Sequence, residues 1–452
     1  MAAPTRAPNN RLDISSPRRH TGLFLANCSL IGSHGGVLTT GRPDPAHNAH
    51  PMMFFALILP YGISSGVATI LLPFLMTRAG LPVALTAFVV GVALLPNVGR
   101  AALAPVVDLT LTLGRWYVIG LVACAATLLL LALMPIRLDA VPLLLAIAFM
   151  SQVCGNLVMV PVGGMMARAV PAAEQGRAAG WFQAGNLGGA ALGGGGGVWL
   201  ATHVSPAIAG AVLAAIAMVC GASVRWLPRI PPAAGITGWA GRFRAIGTDL
   251  VALVRSPELL LVTVVVMSPI AIGAATNLWS AIAPDWKASA DVVAFTTGVI
   301  NGLAAAVGCV MGGWFADRVS RWWAFFGAGV MMALVAVVMA IAPRTPAIFA
   351  VGVLLYAYTQ GVANAAFSAL ALHATGRSTA AATKYALLGS LGNLPVSYMT
   401  AFDGWAYDRW SAAGMLNAEA LLGVVCVALG LAALWRIRVA APFRHPLDEV
   451  ST

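Results

Sequence analysis

PNVGRAALAPVVD, residues 96–108, runs on to Gly114-Arg115 and places an arginine inside an apolar segment and an aspartate at its end. A charged side chain at membrane depth costs roughly 2.5–3.5 kcal/mol on insertion scales, so a chain that keeps one there is expected to use it. Working outward from this stretch, apolar run follows apolar run. The chain is 60% hydrophobic and 9% charged over 452 residues, a balance foreign to water-soluble domains.

Each run is near the roughly 20 residues that a helix needs to cross a bilayer core about 30 Å thick. Alternating ten-residue strands are absent from the sequence, which excludes a β-barrel. The net charge of +11 does not form a basic patch with interleaved aromatics, so nucleic acid is not the expected partner. The six cysteines stand singly, without CxxC or His-Cys groupings, and the histidines are scattered. Disulfides, a metal site and a cofactor are therefore not expected.

Twelve spans are expected, at about 52–76, 83–108, 116–135, 141–167, 178–201, 206–226, 257–283, 292–316, 322–342, 347–372, 384–406 and 415–435. Alternate loops differ sharply in Lys plus Arg, twenty against five. The positive-inside rule then puts both termini in the cytoplasm. Residues 1–51 read as a disordered cytoplasmic tail or an over-extended start, and 439–452 as a second tail. The loop 227–256 divides the spans into two six-helix halves, 52–226 and 257–438. In that loop Phe243, Ile246, Leu250 and Leu253 recur at helical spacing between arginines, as in a helix lying on the inner membrane surface.

The halves repeat one another. Gln152-x-x-x-Asn156 in the fourth span is answered by Gln360-x-x-x-Asn364 in the tenth, and Asp108 by Asp317. Arg177 with Gly185-Asn186-Leu187 is answered by Lys384 with Gly392-Asn393-Leu394. The offsets are 208, 209 and 207 residues, so three polar features share one period. Duplicated halves in a transporter place the solute site between them near the midplane.

Gly62-Ile63-Ser64-Ser65-Gly66, Pro96-x3-Arg100-x4-Pro105-x2-Asp108, Gly114-Arg115-x-Tyr117, GGWFADRVSR at 312–321 and TKYALLGSL at 383–391 together resemble the major facilitator superfamily. Within it they are similar to the AmpG-like permeases, whose relatives include acetyl-CoA and siderophore transporters. The chain departs from that family in the fourth span, which has no aspartate, and at Lys384-Tyr385, where Gln-Tyr or Gln-Phe is usual. The resemblance implies an all-α membrane protein of twelve transmembrane helices in two pseudo-symmetric halves, in a bacterial inner membrane. It also implies alternating access, with symport of protons as the coupling and a muropeptide or siderophore as specific cargo classes.

Asp108 with Arg115, and Asp317 with Arg318 and Arg321, are expected at the cytoplasmic mouths, as a latch made when that side closes. Arg100 lies about 12 Å deeper than Asp108, being eight residues earlier. It either binds an anionic solute or pairs with a mouth acid, with snorkelling toward headgroups as the plain alternative. Gln152, Asn156, Gln360 and Asn364 are candidates to line the solute cavity, joined by Tyr61, Asn301 and Lys384. Interhelical bonding is the competing reading for the amides. Asp403 and Glu419 count as lying near the outer ends of their spans, which leaves no carboxylate near the midplane.

The expected function is secondary transport of a small polar or amphiphilic solute, anionic if Arg100 and Lys384 meet it, by a monomer among membrane lipids. An enzyme acting on lipid-linked substrates would need clustered Asp, Glu or His, which is missing from the sequence. An assembly factor on the same fold remains the alternative.

Overall fold

The computed structural model describes residues 49–228, 239–376, 378 and 380–440, and every regular element among them is helical. The two expected tails and the Pro-rich part of the central loop lie almost wholly outside the described residues. The N-terminal half comprises α1 (Met53–Arg78), α2 (Val83–Leu109), α3 (Leu113–Leu133), α4 (Val141–Ala169), α5 (175–203) and α6 (Pro206–Gly221). The C-terminal half comprises α7, which begins as Pro257–Val266, α8 (Asp291–Arg318), α9 (Arg321–Ile341), α10 (Pro346–Thr375), α11 (381–410) and α12 (412–440).

Nine helices among the described residues are long and apolar enough to cross a membrane. The remaining members of the expected twelve are accounted for locally. The segment 381–437 is counted once but turns at Ser411, whose φ is 61°. The glycine-rich α5 is helical yet weakly apolar. The seventh expected span, 257–283, is a correction. Regular helix stops at Val266, Ala271 and Gly273 take positive φ of 57° and 72°, and short turns continue to Trp286. Pro269 explains the stop, since it lacks an N–H and disfavours helix at the residue before it.

Helix starts are written into the loops. The side chains of Thr112, Ser205, Ser320 and Thr345 accept the backbone N–H three residues on, capping α3, α6, α9 and α10. Thr112 and Ser320 are one repeat apart (320 less 112), so the duplication extends to the caps.

The glycine stripe of α5 packs on α1. A Cβ at Gly189 would stand 2.7 Å from the Leu59 carbonyl oxygen, and one at Gly193 would stand 2.2 Å from that of Ile63. Only hydrogen permits so close a backbone approach. The halves meet in the same way where α5 crosses α8, with a Cβ at Gly180 2.6 Å from the Cys309 carbonyl oxygen.

The linker helix, Trp239–Arg255, does more than lie on a surface. Ile246 and Leu250 pack against Leu109 at the end of α2 and Ala380 at the start of α11. It therefore covers one seam between the halves.

Candidate functional site: a two-seam gate and a buried arginine

At the arginine-rich end of the bundle two helices begin without a cap of their own. Glu174 precedes α5 and Ala380 precedes α11, and neither side chain bonds the helix start. The first N–H groups of a helix have no partner within it and carry the positive end of its dipole. Each start is capped by an aspartate from the other half. Asp108 Oδ2 accepts the Thr383 N–H and hydroxyl, both at 2.8 Å. Asp317 accepts the N–H groups of Gly176 at 2.6 Å and Arg177 at 2.9 Å, and the Arg177 Nε at 3.1 Å. Hydrogen bonds to charged groups contribute about 1.5–3 kcal/mol each, so these bonds tie the two halves together at this end.

The aspartates stand where the sequence places them, but their arginine partners differ. Arg115 is exposed and Arg318 stacks on the Trp314 ring at 3.4 Å, so neither meets its expected carboxylate. Arg321 still bridges the halves, donating from Nη2 to the Ala172 carbonyl. Arg168, unmarked in the sequence, lies 3.6 Å from Asp108 and donates to the Ser378 carbonyl at 3.3 Å. Lys384, a candidate solute contact, is also at this end, its Nζ 3.8 Å from Asp249 of the linker helix. As the repeat mate of Arg177 it starts the equivalent helix, which explains its place at this end.

Deeper in, Arg100 is 6% exposed. Its Nη1 lies 2.9 Å from the Met159 sulfur on α4. Its Nη2 rests against α11, where a Cβ at Gly389 would be 2.6 Å away. Arg100 thus sits at the junction of the halves. Its Nε has no hydrogen-bond partner, and it forms no ion pair among the described residues. Pairing with a mouth acid is excluded by this geometry.

Around it lies an amide network. Gln152 donates from Nε2 to the carbonyl and hydroxyl oxygens of Ser64, both at 3.1 Å. Asn97 donates to Gln152 Oε1 at 3.3 Å, and Asn156 donates to Asn97 Oδ1 at 2.8 Å. Asn156 Oδ1 is left without a partner. Asn97 escaped the sequence reading although it lies three residues before Arg100; nearness along one helix face was the available signal.

The repeat holds in the other half with different hardware. Gln360 Oε1 accepts the Thr276 hydroxyl at 3.3 Å, and Gly273 packs on its amide. Gln152 thus holds α1, while Gln360 holds the interrupted part of α7. Asn364 is half-buried one turn along α10, and Asn301 on α8 keeps a buried Oδ1 without a partner. Asp403 and Glu419, expected near outer ends, are buried within the C-terminal half.

The fold recurs in solved structures. The human organic anion transporter MFSD10 (TETRAN) is 16% identical with a TM-score of 0.64, over 86% of this chain and 100% of that one. The proton:xylose symporter XylE is 15% identical with a TM-score of 0.60, over 84% and 93%. The E. coli fucose:proton symporter FucP is 13% identical with a TM-score of 0.63, over 84% and 98%. No curated protein matches the sequence. A family profile described as Major Facilitator Superfamily matches residues 53–397, and the chain belongs to that superfamily.

Proposed function

We propose that this protein is a secondary transporter of a small organic anion, working by alternating access between the halves α1–α6 and α7–α12. The observation that carries the reading is Arg100, a buried cation at the junction of the halves with an unpartnered Nε and no carboxylate of its own. An unpaired buried charge is costly, and an anionic solute would supply the missing partner. Tyr61, Asn97, Gln152 and Asn156 would orient that solute, with Asn301, Gln360 and Asn364 facing it from the other half. The human organic anion transporter of like fold is in keeping with this charge preference.

In this reading the arginine-rich end faces the cytoplasm of a bacterial cell, as the loop charges imply. The two aspartate caps close that end while the site is open to the other side. The AmpG-like resemblance supports a permease, with amphiphilic anions such as muropeptides or siderophores among the cargoes to try. The test is a thermal-shift screen of organic anions on purified protein, followed by flux of the hits into proteoliposomes. A bound ligand raises stability once its concentration passes its dissociation constant. Stabilisation by an anion that is lost in Arg100→Ala is the expected result. An absence of flux beside a stable protein complex would favour the assembly-factor alternative.

A further inference from the structure

The linker helix, Trp239–Arg255, has a side turned to the seam and an opposite side that neither the gate nor the solute site uses. On the seam side Ile246 and Leu250 press on Leu109 and Ala380. Asp249 accepts the Ser378 hydroxyl and lies 3.8 Å from Lys384 Nζ, which fastens the helix to the start of α11. Arg244, Thr248, Val251 and Arg255 follow one another at intervals of four, three and four residues, which places them together on the face opposite Ile246 and Leu250. With Gly247 and Ser256 they line an open cleft of about 730 Å³ that ends where α7 begins.

The cleft is built for a negative group. Arg244 and Arg255 are exposed, and neither forms an ion pair with a described residue. At about 1.5 Å per residue they stand roughly 16 Å apart along the helix, one at each end of the cleft. No acid lines it. Glu258, two residues beyond Ser256, lies 3.6 Å from His373 of α10 instead. The Ser256 side chain does not cap α7, so its hydroxyl is free to donate to an anion. An apolar track leads away from the same place. Leu260 and Val264 follow Ser256 at four and eight residues, on one face of α7, and are 41% and 56% exposed. A free phosphate has no use for that track, whereas a phospholipid fills cleft and track together, headgroup on the arginines and acyl chain on α7.

We propose that this cleft binds the headgroup of an anionic phospholipid, and that the bound lipid steadies the linker helix on the α2–α11 seam. Charge-assisted bonds from Arg244 and Arg255 hold the phosphate, and Leu260 and Val264 carry the acyl chain. Arg244 reaches the cleft beside Ser256 only with the helix in this place, so a lipid held by both favours the covered seam over one from which the helix has lifted. The anionic lipid content of the membrane then biases how readily this end opens. The site stands whatever solute the protein carries.

Native mass spectrometry of the purified full chain, offered phosphatidylglycerol and phosphatidylcholine in equal amounts, reads the headgroup preference. The wild type is expected to retain phosphatidylglycerol at least about tenfold better, since an arginine near an anionic surface is worth about fivefold. The preference is lost when Arg244→Gln and Arg255→Gln are combined, and lost in Gly247→Glu, where a Cβ meets open space and an acid enters the cleft without a clash. It is kept in Arg137→Gln, a substitution at an exposed ion pair with Asp139. Equal retention of the two lipids by the wild type, or a preference that survives both cleft variants, overturns the proposal. Displacement of phosphatidylglycerol by inorganic phosphate or glycerol phosphate also overturns it, in favour of a free-anion site. The wild-type comparison decides the matter even where a variant fails to fold. For the seam, a cysteine at Ala382 in protein without its native cysteines should react several-fold more slowly in phosphatidylglycerol nanodiscs than in phosphatidylcholine ones. Equal reactivity would overturn the steadying role.

Discussion

The two halves use one repeated scaffold to hold charges of opposite sign. In the N-terminal half Gln152 secures a continuous α1, and the buried charge is Arg100, in reach of α4 and α11. In the C-terminal half Gln360 secures an interrupted α7, and the buried charges are carboxylates behind that interruption. The repeat mate of Arg100 (100 plus 208) is Gly308, whose Cβ would lie 2.0 Å from the Tyr358 carbonyl oxygen, so no side chain could occupy that place. Duplication supplied the framework. Divergence at a few buried positions set a cation in one half against carboxylates in the other.

The comparison breaks first at Arg100. Arg100→Ala is expected to cut anion flux roughly 10–100-fold, the worth of one charge-assisted bond. Its thermal midpoint should hold or rise, since an unpaired buried charge leaves the membrane interior. Proteoliposome flux beside a melting curve reads both, and wild-type flux would end the solute role.

The next test asks whether the seams are independent. Cysteines at Ala179 on α5 and Ala382 on α11, both 0% exposed, report opening at the α5–α8 and α2–α11 seams once the native cysteines are removed. Asp317→Ala, which loses three hydrogen bonds, should raise thiol reactivity by at least about tenfold, and Asp108→Ala by somewhat less. One rocking motion requires each substitution to expose both reporters. Exposure of the nearer reporter alone would show that the halves flex locally.

Smaller effects sharpen the picture. Thr383→Val keeps the N–H bond to Asp108 and loses the hydroxyl bond, so opening should rise only about 3–10-fold. A cysteine at Asn156 or Asn364 should react with water-soluble thiol reagents and be protected by a stabilising anion. The effect should be stronger at Asn156, whose oxygen is unpartnered. Inertness at both positions would return the amides to helix packing.

The fold was legible because polar residues are scarce in an apolar chain, so Gln152, Asp108 and Arg177 and their mates stand out at one period. The glycine stripe was legible for the same reason, its spacing of four leaving one smooth face. The break in α7 was missed because hydropathy averages over Pro269 and Gly273. Asp108 and Asp317 were marked by the repeat but not their partners, since a carboxylate that caps a distant helix bonds to backbone, which leaves no mark in side-chain identity. Asp403 and Glu419 were read as lying toward the outer ends of their spans, and counting along a span does not show that both side chains are buried. Asn97 and Arg168 show the same limit, as their roles depend on contacts 55 or more residues away.

The borrowed caps have a consequence for hydration. When Asp108 and Asp317 withdraw, the starts of α5 and α11 are left with bare N–H donors, and solvent must fill them. The open state at this end should therefore bind more water than the closed one, and its population should follow water activity. Osmolytes excluded from protein surfaces should hold the gate shut, with a response that grows with osmolyte concentration and fades in variants whose caps are already gone.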